Sequence, residues 1–176
     1  MKRYFLVPVI LVIANLLSCT QGPTNPEPEP GIAVLLESES VNAGWGYYHA
    51  GWFVDSAGNV YTYSLSNSRT RWVPSPSGYY TAHELWVKFH DHDTLTGRIS
   101  PDTLAMLRRL ALGSVAGQSS DTVQRGADMG STTYWSYIYQ ADSSEIRQTM
   151  LRVSGDFECY NTSEEAIELS DWMSRR

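Results

Sequence analysis

The sequence predicts one α+β domain, an antiparallel sheet built from two hairpins with about three helices packed on it. Three observations carry that prediction. Apolar–polar alternation interrupted by a short turn occurs twice, around 48–65 and 133–153. Between and after these runs the apolar period lengthens to the helical one. The regular strand–helix alternation of a parallel doubly wound sheet is missing. The expected order is β-β-β-α-α-β-β-α, with the helices on one sheet face.

The elements follow in order. Ile32 to Leu36 is a short apolar run suited to a first strand. Tyr48, Ala50, Trp52 and Val54 alternate along one face of a second. Asp55 to Asn59 is rich in turn formers, and Tyr61, Tyr63 and Leu65 line one face of the strand that returns. Arg71 to Val73 can add a short strand before Pro74 and Pro76. Thr81 and Glu84 have capping-box spacing, and Ala82, Leu85, Trp86 and Phe89 then share a helical face. A second helix starts at Ser100, with Pro101 in its first position, a stripe of Leu104, Leu107 and Ala111, and a stop near Gly113. Gly117 to Thr132 reads as a polar loop. Thr133 to Gln140 and Ile146 to Val153 form the second hairpin, with Trp135, Tyr137 and Tyr139 on one face. The last helix has two candidate caps, Asn161 with Glu164 and Thr162 with Glu165, ahead of Ala166, Leu169 and Met173.

The amino terminus has a different composition. Lys2 and Arg3 precede an apolar run, Tyr4 to Leu17, of 14 residues broken only by Pro8 and Asn15. That is short of the roughly 20 residues a membrane span needs, and it fits an export signal. The run ends in Leu16-Leu17-Ser18-Cys19, which resembles the lipobox of bacterial lipoproteins: an aliphatic residue, a small residue, then cysteine. The resemblance implies cleavage after Ser18, a diacylglycerol thioether on Cys19 and an N-acyl chain such as palmitate. Two or three acyl chains anchor stably where one does not. Thr20, not Asp, follows Cys19, which in Gram-negative members of the class favours the outer membrane. Thr20 to Gly31 has Pro at 23, 26, 28 and 30 and no large apolar residue, so it reads as an extended spacer of about 3 Å per residue. The expected organisation is therefore a signal peptide at 1–18, a lipidated Cys and tether at 19–31, and one domain at 32–176. Its strand arrangement, with Gly58, Val60 and the Tyr61–Tyr63 region after a turn, resembles small domains found behind bacterial lipoboxes.

Charge narrows the function. The chain has 13 basic and 19 acidic residues, and losing Lys2 and Arg3 leaves 11 against 19, a net charge of −8. This argues against nucleic acid or an anionic lipid surface as the domain's partner. With Cys19 lipidated, Cys159 has no disulfide partner, and its acidic neighbours Asp156 and Glu158 disfavour a thiolate nucleophile. No phosphate-binding Gly loop, dinucleotide fingerprint or Gly-x-Ser-x-Gly elbow occurs.

Two sets of side chains remain as candidates. His90, Asp91, His92 and Asp93 are the densest potential metal ligands, although a polar helix exit is the commoner explanation and residues two apart diverge on a helix. His49 lies opposite in parity to Trp52 and is a candidate base, although a solvent-facing strand histidine is the commoner case; His83 lies in a helix's first turn and reads as exposed. Carboxylates are numerous, and nothing in the sequence selects a pair. The six Trp and ten Tyr of the mature chain are the second set. Trp52, Tyr134, Trp135 and Tyr137 are the binding candidates, because aromatic residues at both strand parities leave one set facing away from a one-sided core. The sequence thus reads as an anchored, non-enzymatic binding domain without a cofactor, for an envelope protein or glycan. The alternative is an envelope hydrolase using His90, His92 and nearby carboxylates.

Overall fold

The computed structural model describes residues 33–44, 46–67, 71–90, 93–140 and 144–176. The signal, Cys19 and the tether lie outside the described residues, as do Asp91 and His92. The elements are β1 (Val34–Asn42), β2 (Tyr48–Asp55), β3 (Asn59–Ser64), β4 (Tyr79–Thr81), α1 (Ala82–Phe89), β5 (Asp93–Arg98), α2 (Pro101–Ser114), β6 (Val123–Gln124), β7 (Ser131–Tyr139), β8 (Glu145–Gly155), β9 (Phe157–Tyr160) and α3 (Glu164–Ser174). The nine strands among the described residues form one antiparallel sheet, eight of them in the order β5-β3-β2-β1-β7-β8-β9-β6 and β4 off this path. Strand β4 pairs with the first residues of β8, and β9 pairs further along the same strand. The α+β class and both predicted hairpins are present. No helix among the described residues is long and apolar enough to cross a membrane.

The helices do not share one face, as the sequence reading expected. Leu36, Val54 and Leu151 pack with α2 and α3 through Leu104, Leu107, Leu110, Ala166, Leu169 and Met173. Val34, Phe53, Tyr63, Tyr137 and Ile146 pack with Leu85 and Phe89 of α1 on the other face. The physical reason lies in the central strands. Phe53 and Val54 are consecutive, point to opposite faces and are both 0% exposed. At the start of β1 a register irregularity between Val34 and Leu36 sends Val34 to one core and Leu35 with Leu36 to the other. Strands apolar at both parities must be covered on both sides.

Local signals held well at α1 and α2. Thr81 Oγ1 accepts from the Glu84 N–H while Glu84 accepts from the Thr81 N–H, closing the capping box. Ser100 caps α2, with Pro101 in its first turn. At α3 the cap is Ser163, whose Oγ accepts from Ala166 N–H, and not Asn161 or Thr162. Asn161 is buried, so its amide serves the interior: Nδ2 donates to the carbonyls of Ser114 and Met150, and Oδ1 accepts from Ser163. The short strand expected at Arg71–Val73 is irregular backbone; the added strand is β4, where Gly78 at positive φ turns the chain after the prolines. The predicted loop at 117–132 contains β6.

Candidate functional site

The sheet face beneath α1 carries buried charge. Glu37 and Glu39 share one parity of β1, the one that also carries Gly51 and Phe53 of β2 across the ladder. Helix α1 buries Leu85, Lys88 and Phe89 on one side, which brings the single lysine beyond Lys2 over the two carboxylates. Lys88 Nζ donates to Glu37 Oε1 at 2.6 Å and to Glu39 Oε1 at 2.9 Å. Glu37 also accepts from Tyr63 OH at 2.5 Å and from Tyr137 OH, whose oxygen accepts from Gln148 Nε2 at 2.7 Å. Glu39 accepts from Trp135 Nε1 at 3.0 Å and from His49 Nε2 at 2.8 Å. His49 Nδ1 is bonded to Tyr47 OH at 2.9 Å.

These contacts fix the protonation pattern. Burial works to raise Glu39, but the Lys88 charge and the donors of His49 and Lys88 outweigh it and hold the carboxyl at about 2. Burial prevails at Glu37 and raises it, against the opposing pull of Lys88. Lys88 is raised: burial disfavours its charge, yet the two carboxylates more than offset that. Burial and the Glu37 charge push the Tyr63 and Tyr137 phenols well up, so both remain donors. An ionised Glu39 only accepts, so His49 carries its proton on Nε2 when neutral. Nδ1 then offers its lone pair, and Tyr47 donates to it.

A carboxylate–imidazole–hydroxyl chain thus leads outward from the buried ion pair. It ends at a cavity of about 180 Å³ lined by Glu39, Tyr47, His49, Arg71, Trp72 and Pro74. The Arg71 guanidinium lies over the Tyr47 ring, 4.6 Å from its centroid.

The opposite face holds a second opening. Beyond the end of α3 the sheet edge at β3 and β5 is left uncovered, and a cleft of about 290 Å³ forms there. Its walls include Trp52, Trp172, Thr62, Thr96, Arg98 and Arg176. The two indoles meet edge to face at 6.4 Å, and Arg176 lies over the Trp172 ring at 4.4 Å. Gly97 pairs with Val60 on the floor, and a Cβ added to it would meet nothing within 4 Å. A larger depression, about 540 Å³, is lined by Ser40, Asn42, Gly130, Thr132 and their neighbours, with no cation or carboxylate side chain among the described residues.

The predicted site residues separate accordingly. Of the aromatic candidates, Trp52 and Tyr134 pack on the α2–α3 face, while Trp135 and Tyr137 lie on the α1 face. They form no exposed row, because both faces are covered; Tyr137 is 1% exposed and Trp135 is bound to Glu39. Trp52 lines the cleft beside Trp172, and Tyr137 borders a separate depression of about 240 Å³ with Val34, Leu35, Arg108 and Leu112. His49 is 2% exposed, contrary to the solvent-facing expectation, for the same reason. His83 is exposed, as expected. His90, at the end of α1, stacks on Trp86 at 3.9 Å, and Asp93 opens β5. Asp91 and His92 lie outside the described residues, and among those described no three metal-ligating side chains gather. Cys159 is buried, its thiol donating to the Ser120 carbonyl at 3.4 Å.

Sequence reasoning passed over Glu37, Glu39, Tyr47, Arg71 and Lys88. A signal was present: beyond residue 3 the chain has one lysine among ten arginines, and it is set between Leu85 and Phe89 of one helix. No family model, curated protein or solved structure matches this chain.

Proposed function

We propose that this is a lipid-anchored cell-envelope protein whose domain binds an acidic glycan in the Trp52–Trp172 cleft. The cleft is the observation that carries the reading: two indoles, two guanidinium groups and an open floor at Gly97. Indole rings pack on the apolar faces of sugars, and guanidinium groups pair with carboxylates. Such a pair of cations is distinctive in a chain this acidic. The lipobox cysteine, Cys19, and the Pro-rich spacer support the anchor, and Thr20 supports the outer membrane if the source is Gram-negative.

Two measurements test the reading. Cys19→Ala moves the protein from the membrane to the soluble fraction; a variant that still partitions into detergent refutes the anchor. Titration with a uronate oligosaccharide quenches tryptophan fluorescence, and a neutral oligosaccharide of equal length does so at least about tenfold more weakly, about 1.4 kcal/mol. Gly97→Phe, whose Cβ would meet nothing within 4 Å, puts a ring into the floor and abolishes the quench. Equal quenching by both sugars, or an unchanged titration in Gly97→Phe, refutes the glycan site.

A further inference from the structure

We infer that Tyr47 is the nucleophile of a second site, on the sheet face opposite the cleft, that transfers the phosphoryl group of a phosphodiester held by Arg71. The arrangement is that of an activated nucleophile: a hydroxyl bonded to a base, and the base bonded to an orienting acceptor. Tyr47 OH donates to His49 Nδ1 at 2.9 Å, and His49 Nε2–H donates to Glu39 at 2.8 Å. Glu39 is fixed by Lys88 and Trp135, so the imidazole is locked in the tautomer that presents its lone pair to Tyr47. His49 and Glu39 are both buried, whereas Tyr47 is half-buried and faces the cavity.

The cavity selects the substrate class. Arg71 brings one positive charge beside the phenol, and its planar fork matches the two non-bridging oxygens of a singly charged phosphodiester. Trp72 and Pro74 supply an apolar wall for one ester substituent. A volume of about 180 Å³ holds the phosphoryl group and one small substituent, so the remainder of the substrate projects into solvent. In the first step the bond between Tyr47 Oη and phosphorus forms while the bond from phosphorus to the leaving oxygen breaks. The phenol proton passes to His49 Nδ1 and then to the leaving alkoxide. Water next attacks phosphorus, giving its proton to Nδ1, which returns it to Oη as the tyrosyl bond breaks. Diester and water become monoester and alcohol. Tyr47 and Arg71 touch the substrate, His49 moves the proton, and Glu39 is a positioning residue.

The full-length protein in detergent is treated with phenylmethanesulfonyl fluoride and digested for peptide mass spectrometry. The Tyr47 oxygen bonds to sulfur, fluoride leaves, and the proton departs through His49. Tyr48 and Tyr160, 51% and 48% exposed, are internal controls on the same chain. Tyr47 is expected to label at least about tenfold faster than either, since a positioned base contributes that much or more. His49→Gln lowers Tyr47 to the control rate. Turnover of bis(4-nitrophenyl) phosphate is lost in Tyr47→Phe, which keeps the ring beneath Arg71. Arg71→Gln raises KM for the diester and leaves labelling by the neutral fluoride unchanged. Glu39→Gln changes the ring ¹⁵N shifts of His49, reporting the tautomer apart from stability. Labelling of Tyr47 no faster than the controls, or wild-type turnover by Tyr47→Phe, overturns the proposal.

Discussion

Replacing Lys88 by Met keeps the unbranched stem and removes the cation that Glu37 and Glu39 share. Both carboxylates then keep their tyrosine, histidine and indole donors but face each other in the interior with no lysine charge between them. Breaking a buried pair in this way costs about 3–5 kcal/mol at neutral pH. The structure gives an independent magnitude for one partner. Glu39 is held at about 2 from an ordinary 4.5, and at about 1.4 kcal/mol per pH unit that interval is worth roughly 3 kcal/mol. Folding lowers the proton affinity of Glu39, so its stabilisation is complete above pH 4.5 and lost as pH falls toward 2. Glu37 has the opposite sign: folding raises its proton affinity, so its contribution is complete below 4.5 and lost as pH rises through its raised value. In Lys88→Met both carboxyls behave as Glu37 does. Acidification from pH 7 to 5 therefore stabilises the variant, which protonates its buried acids on folding. Urea unfolding followed by tryptophan fluorescence at pH 7, 6 and 5 measures this. In a Glu37→Gln background, with one fewer acid to strand, Lys88→Met costs at least about 1 kcal/mol less. A variant within about 1 kcal/mol of wild type at pH 7, or one that gains nothing on acidification, refutes the reasoning.

Three further outcomes follow from packing. Gly51→Ala puts a Cβ into the Ser38 carbonyl oxygen beneath the Tyr63 hydroxyl, parting β1 from β2 beside Glu39; urea unfolding should show a loss of about 2–3 kcal/mol. Asn161→Ala removes the Nδ2 donor to the Ser114 and Met150 carbonyls, leaving Ser114 only its longer bond from the Gly117 N–H, and the midpoint should fall by an amount equivalent to about 1–3 kcal/mol. Thr81→Ala opens the capping box of α1 and should cost about 1 kcal/mol by thermal unfolding, with far-UV circular dichroism unchanged below the transition.

Element type was legible wherever the signal is local. The Thr81–Glu84 box, the Ser100–Pro101 start and the two hairpins are fixed by residues within a few positions of one another. The cap of α3 was misplaced because Asn161, Thr162 and Ser163 are all competent caps, and burial of Asn161 among the Ser114 and Met150 carbonyls chose between them. Of the two sites, Trp52, Trp135 and His49 were singled out beforehand, Trp135 as an exposed aromatic and His49 with a solvent-facing reading preferred over that of a base. The partners of Trp52, namely Arg98, Trp172 and Arg176, come from β5 and the α3 end, which no spacing in the chain relates to β2.

The sequence by itself determined the three helices, the two hairpins and the alternation that places His49 with Phe53 on one face; the first strand was read only as far as Leu36, short of Glu37 and Glu39, and β5, β6 and β9 carry too few alternating residues to be read locally. Parity assigns side chains to one face or the other but does not say which face is covered. That was decided only when α1 folded onto the side away from α2 and α3. The cover removed His49, Glu37 and Glu39 from water and set Lys88 above them. A charge left in solvent is cheap and needs no partner, whereas in the interior it must find one. The network beneath α1 is therefore a consequence of tertiary packing, and no local rule of sequence contains it.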